Sequence, residues 1–185
     1  MTARLPATPG QTVGPFFHDA LPYPGDRHLL APGTPGGVVL HGTVFDGAGC
    51  GVPDALVEIW QADADGRVLQ RPGSLRRDGH VFTGWGRAST DRTGRYTFTT
   101  VRPGQVDEGR PYFAVTVFAR GLLNRLFTRA YLPLPDAPTT EVLDAAGDRA
   151  ETLVCAEDDL GLRFDIRLQG EAETVFLTYP GHSSA

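Results

Sequence analysis

From residue 38 onward the chain is built of short runs in which apolar and polar positions alternate. Residues 38–45 and 55–61 are rich in β-branched and aromatic side chains, and Asp46 to Asp54 between them is dense in turn-forming residues. In the second run Leu56, Glu58 and Trp60 alternate with Val57, Ile59 and Gln61, the period of a strand rather than a helix. Asp91-Arg92-Thr93-Gly94 forms a turn into a further alternating run at 95–100, and similar runs follow at 111–119, 126–132, 162–168 and 174–177. A single short helix is predicted at 139–145. Residues 6–37 are rich in Pro and Gly without periodic apolar positions, so they read as an extended arm lying on another surface. Short strands joined by Gly/Pro turns predict an all-β fold, an antiparallel β-sandwich, because each strand buries one face only when a second sheet covers it. The expected organisation is an N-terminal arm at 1–37 and a sandwich domain at 38–185, with function carried on the long connections 61–82 and 102–110.

Two side chains test this pattern. Glu58 shares the parity of Trp60 on a face expected to be apolar, so it needs a partner, and Arg87 is one candidate. Trp60 and Trp85 are expected in the core, Trp60 from its place in a strand and Trp85 because its two flanking glycines allow close packing.

Composition narrows the class. The chain has 185 residues, 41% hydrophobic and 21% charged, which fits one folded domain and excludes a disordered tail or a membrane-spanning protein. No apolar run approaches the roughly 18 residues of a spanning helix. Residues 1–10 lack the basic and apolar regions of a secretion signal, so a cytoplasmic location is expected. The formal charge of −5 argues against a nucleic-acid partner. Cys50 and Cys155 belong to no Cys/His cluster and are expected to be plain buried or half-buried thiols.

At Gly51-Val52-Pro53-Asp54-Ala55-Leu56-Val57-Glu58-Ile59-Trp60-Gln61-Ala62-Asp63 the chain resembles the intradiol ring-cleavage dioxygenases. Further matching segments are Phe82-Thr83-Gly84-Trp85-Gly86-Arg87, Thr90-Asp91 with Gly94 and Tyr96, and Val101-Arg102-Pro103-Gly104. Thr8 to Phe17 near the start and Val117-Phe118-Ala119-Arg120-Gly121 later on extend the likeness in matching order along nearly the whole chain.

Iron-bearing members of this family hold a non-haem Fe(III) with two tyrosinates and two histidines, hard donors suited to a hard cation. The first tyrosine follows a Gly-Arg pair, which here reads Gly66-Arg67-Val68. The second follows Pro-Gly-x, and here Pro103-Gly104-Gln105 is followed by Val106. The two histidines lie one apart on the next strand, and depending on register they fall on Tyr112 and Ala114 or on Phe113 and Val115. Neither register recovers a histidine pair, because the five His stand at 18, 28, 41, 80 and 182. Valine offers no donor atom. This chain is therefore expected to hold no metal and no catalytic residue, and to be inactive alone. It would serve as the partner of an iron-bearing beta chain of the same fold, so that Fe(III) belongs to the assembled enzyme.

What remains for this chain is a wall of the substrate pocket. The resemblance places Thr12, Val13, Gly14 and Pro15 of the arm there, together with Arg129. A glycine permits close backbone approach to a flat ring, a proline stiffens the arm, and a threonine supplies a hydroxyl. An arginine offers a planar donor fork for a carboxylate such as that of 3,4-dihydroxybenzoate. O2 would be the co-substrate. His18 and His28 are weaker candidates for polar contacts. Two other readings stay open on sequence: a self-sufficient dioxygenase for another catechol, and a sandwich module that binds or assembles without catalysis.

Overall fold

The structure is a computed structural model that describes residues 11–14, 16–70 and 81–179. Among the described residues nine strands form two sheets. The first contains β1 (Gly37–Phe45), β4 (Arg95–Val101), β7 (Ala156–Asp158) and β8 (Gly161–Arg163) in the order β4-β1-β8-β7, with the short β9 (Ile166–Arg167) also on β1. The second has the order β3-β2-β5-β6, from β2 (Leu56–Trp60), β3 (Trp85–Ser89), β5 (Tyr112–Phe118) and β6 (Leu126–Tyr131).

Alternation decides which side chains meet between the sheets. Along β5, Phe113, Val115 and Val117 are buried while Tyr112, Ala114 and Thr116 face outward. The buried set joins Val57 and Ile59 from β2, and it packs against Leu40, Val44 and Phe98 of the first sheet. Two polar brackets brace the core, the first within the first sheet and the second between the two layers. The Tyr96 hydroxyl donates to the Phe164 carbonyl, and burial pushes its pKa well above the ordinary value, so it acts as a neutral donor. Gln61 is 3% exposed, and its amide donates to the carbonyls of Ala62 and Val101 at 3.0 Å each and accepts from the Thr100 hydroxyl. Every polar atom of that amide is used, as burial requires.

The sandwich agrees with the strand pattern, with definite differences. β1 pairs antiparallel with β4 but parallel with β8 and β9, so the first sheet is mixed. The run at 162–168 is split between β8 and β9, and 174–177 contributes one bridge, Leu177 to Phe127, rather than a strand. β3 and β7 were not expected as strands. The helix is α2 (Glu141–Ala146), capped by the Thr140 hydroxyl, which accepts from Leu143 N–H at 3.3 Å. A 3-10 segment at Gly147–Leu153 follows it, and the two cover Tyr131 on the outer face of β6.

The arm carries one helical turn, α1 (Phe17–Ala20), and the Phe17 ring lies 5.5 Å from that of Phe118. Its later part is built into the sandwich: Leu29 is 3% exposed and its N–H donates to the Thr99 carbonyl. His28 is a structural contact there, with Nδ1 3.2 Å from Thr99 Oγ1. Three expectations require correction. Trp60 is 45% exposed, because its parity with Glu58 is the outer face of the second sheet and Val57 and Ile59 take the inner one. Trp85, opposite Trp60, is half-buried, with the Arg87 guanidinium 5.1 Å from its ring centroid. Cys50 is exposed on the turn before β2, whereas Cys155 is buried and its thiol is pushed up to about 12 by desolvation.

Candidate functional site

Two loops meet at one end of the second sheet, one leaving β2 and the other running from β4 of the first sheet into β5, and they pack back to back. The first follows β2, where the Asp63 carboxylate accepts from the N–H groups of Asp65 and Arg67 at 3.0 and 2.8 Å and folds the chain over. Gly66 completes that turn at φ 83°, and a Cβ there would lie 2.0 Å from the Gln105 carbonyl oxygen. Reciprocally, a Cβ on Gly104 would lie 2.4 Å from Gly66 N, and Gly104 N–H donates to the Asp63 carbonyl at 2.8 Å. Glycine at both positions lets the two backbones touch. Val68 and Val106, just beyond them, therefore line one cavity.

That cavity measures about 300 Å³ and is also lined by Trp60, Arg110, Tyr112 and Ala114. The structure thus resolves the register left open by sequence: Tyr112 and Ala114 face the site, while Phe113 and Val115 are 0% and 2% exposed in the core. The four positions at which the resemblance would place iron ligands line one cavity here, and three of them are aliphatic. A single phenol beside Val68, Val106 and Ala114 does not make an Fe(III) site, which needs several hard donors. The donor set does not fit the metal.

Beside the cavity, Arg129 projects from β6 opposite Ala114. Its guanidinium carbon lies 4.3 Å from the Tyr112 ring centroid, and Nη1 donates to the Tyr131 hydroxyl at 3.2 Å. Burial acts to lower the Arg129 pKa, but the bond to Tyr131 and the neighbouring Tyr112 outweigh it and hold the pKa above its ordinary value. Arg110 donates from Nε and Nη2 to the Leu132 carbonyl at 3.0 and 2.8 Å. Among the described residues neither arginine is paired with a carboxylate.

The arm residues lie elsewhere. The Thr12 hydroxyl accepts from Gly121 N–H at 2.7 Å, past the end of β5, whereas Arg129 sits opposite Ala114 near the start of that strand. About 13 Å of strand separates Ala114 from Phe118. Among the described residues, Thr12 and Arg129 thus lie toward opposite ends of β5. Thr12 and Gly14 are exposed, Val13 is half-buried, and Pro15 lies outside the described residues. A Cβ on Gly14 would meet nothing within 4 Å, so the chain's own packing does not demand glycine there. Glu58, as expected, pairs with Arg87: Nη2 and Nε lie 2.6 and 2.9 Å from Oε1. Arg87 also donates to the Leu21 carbonyl at 3.2 Å and so fastens the arm to β3.

Comparison with known proteins places this geometry in a class. The dioxygenase family profile matches residues 12–120, and the dioxygenase domain of a dioxygenase carbohydrate-binding protein fusion from Streptomyces sp. SirexAA-E shares the fold. That domain superposes with a TM-score of 0.55 at 24% identity, over 88% of this chain and 98% of its own. The chain belongs to the intradiol dioxygenase family. Over nearly its whole length it is similar to the protocatechuate 3,4-dioxygenase alpha chain, 35% identical to that of Pseudomonas putida across 95% of this chain and 98% of the relative. The corresponding alpha chain of Burkholderia cepacia is 38% identical across 93% and 97%. The beta chain from Burkholderia cepacia is 31% identical across 91% and 78%.

Proposed function

We infer that this chain is the metal-free alpha subunit of a protocatechuate 3,4-dioxygenase, inactive alone and paired with an iron-bearing beta chain of the same fold. The observation that carries this reading is the site itself: the loops and strand that would present iron ligands are assembled, but they present Val68, Val106 and Ala114. The likeness to two alpha chains at nearly full coverage supports it, and so does the weaker likeness to a beta chain. A self-sufficient dioxygenase would need donors that these side chains lack. The Fe(III) of the beta chain would supply the reaction of 3,4-dihydroxybenzoate with O2 that opens the ring to 3-carboxy-cis,cis-muconate.

This chain's share is positioning. Thr12, Val13, Gly14 and Pro15 would form part of the wall of the partner's substrate pocket, where exposed backbone at Gly14 admits a flat ring at close range. The bond from Gly121 to Thr12 and the Phe17–Phe118 contact hold the base of the arm, so closing on the substrate loses less conformational freedom. Arg129 would contact the substrate carboxylate, its fork set by Tyr112 and Tyr131. The absence, among the described residues, of a helix long and apolar enough to cross a membrane is compatible with the cytoplasmic location proposed for the assembly.

The test is co-expression with a candidate beta chain, then iron analysis and oxygen uptake with 3,4-dihydroxybenzoate. The expected result is about one iron per pair, on the partner, with turnover only in the complex. Tight iron and catechol turnover by this chain alone would overturn the reading. In the complex, Arg129→Ala should weaken 3,4-dihydroxybenzoate about tenfold more than unsubstituted catechol, the scale of one charged hydrogen bond. Equal losses for both ligands would remove the carboxylate contact.

A further inference from the structure

We propose that the cavity between the two loops is a metal-independent binding site for a small aromatic carboxylate, a benzoate-sized anion held by this chain's own residues. The reading goes beyond the pocket wall discussed above and requires neither iron nor the partner.

Shape gives the first argument. A cavity of about 300 Å³ falls at the small end of ligand pockets, which run roughly 300 to 1,000 Å³. It is not collapsed, because the two loops are held by backbone contacts at Gly66 and Gly104 rather than by the side chains at 68 and 106. Replacing donors by aliphatic groups therefore changes the lining and not the frame. The walls are then Val68, Val106 and Ala114 with the rings of Trp60 and Tyr112, surfaces that match a flat apolar ring. Val68 and Trp60 are 51% and 45% exposed, so a ligand would take apolar surface out of water at the mouth.

Charge gives the second. Arg110 lines the cavity, and both of its described bonds go to one carbonyl through Nε and Nη2, so Nη1 has no partner among the described residues. Arg129 adds a second guanidinium behind the Tyr112 ring, fixed by Tyr131. Two half-buried cations with no carboxylate partner among the described residues favour an anion, and a planar carboxylate suits the remaining edge of a guanidinium. A neutral ring would satisfy the walls and leave the charge unanswered. Arg110 is thus assigned the contact to the anion, with Arg129 as a positioning residue that holds Tyr112 and adds to the field.

The experiment is calorimetric titration of the purified full-length chain with benzoate and with benzyl alcohol, which keeps the ring and lacks the charge. The expected result is saturable binding of one benzoate per chain, about tenfold tighter than benzyl alcohol. Arg110→Gln should bring the two ligands within about threefold of each other, and Val68→Phe, a filling change at an exposed loop position, should weaken both by about tenfold. Near-ultraviolet circular dichroism confirms that each variant is folded, and Arg129→Gln provides a second reduction of the charge preference if Arg110→Gln is not. No saturable binding, equal affinity for the two ligands, or indifference to Val68→Phe would each overturn the assignment. In the complex with the beta chain, Val68→Phe should reduce the benzoate stoichiometry by one per pair. An unchanged stoichiometry would mean that a segment of the partner fills the cavity, and would overturn it as well.

Discussion

The bases and the tips of the two loops at 61–70 and 102–110 are made of different material. At the bases stand a fully bonded buried amide, Gln61, a carboxylate that folds its own turn, Asp63, and two glycines in backbone contact, Gly66 and Gly104. At the tips stand Val68 and Val106, whose aliphatic side chains offer no hydrogen-bonding atom. The difference teaches that the cavity's frame is held by bonds among the residues at the bases, so the side chains at the tips can be exchanged while the cavity persists.

If that division holds, a change at a base should cost far more than one at a tip. Gln61→Leu leaves the Thr100 hydroxyl and two carbonyls without their partner in the core, and should lower unfolding stability by about 3 kcal/mol in urea denaturation. A loss below about 1 kcal/mol would show that water replaces the amide and would break the comparison at its strongest point. Gly66→Ala places a methyl group on the Gln105 carbonyl at a positive φ, with an expected loss of about 2 kcal/mol. Val68→Ala removes two methyl groups at a half-exposed tip, and its unfolding free energy should stay within about 0.5 kcal/mol of the parent.

The smallest expected effect comes from a site outside both loops. Asp158 accepts from His41 Nε2 at 3.0 Å, and this bond, with N–H bonds from Leu160 and Gly161, holds its carboxyl below the ordinary value of 3.8. A carboxylate depressed on folding stabilises above its unfolded pKa, and that contribution is lost as pH falls through the folded one. Urea midpoints measured from pH 6 down to about pH 2 should therefore fall less steeply for Asp158→Asn than for the parent. Parallel slopes would exclude the His41 contact as a source of acid sensitivity.

Much of the sandwich could be read in the chain because its strands alternate cleanly: β1, β2, β4, β5 and β6 lie within a residue or two of the alternating runs. β3 escaped because Trp-Gly-Arg-Ala-Ser has too few large apolar side chains to show a period, and its strand character comes from pairing with β2. Trp60 was misplaced because alternation assigns a face without saying whether anything covers it. The same limit left the register of Tyr112 open, since a strand with apolar residues at every position from 111 to 115 has no periodic signal, and burial of Phe113 and Val115 supplies the answer. The loop positions were legible because glycine is required there by backbone contact. The charge beside the cavity was legible only in part: Arg129 stands out as a candidate carboxylate contact, but its place beside Tyr112 comes from the pairing of β6 with β5, and nothing in the sequence sets Arg110 apart from the rest of its loop.

The parallel pairing of β8 and β9 with β1 has a consequence for the newly made chain. Thr43 N–H waits for the Asp165 carboxylate across 122 residues, and β1 reaches its full set of neighbours only when Arg167 has been added. At roughly 5 to 20 residues per second on the ribosome, the open edge of β1 persists for about 6 to 24 s after the strand emerges. An unpaired edge is a template for the wrong neighbour. Synthesis of this subunit therefore has a vulnerable interval at its beginning, closed by residues near its end.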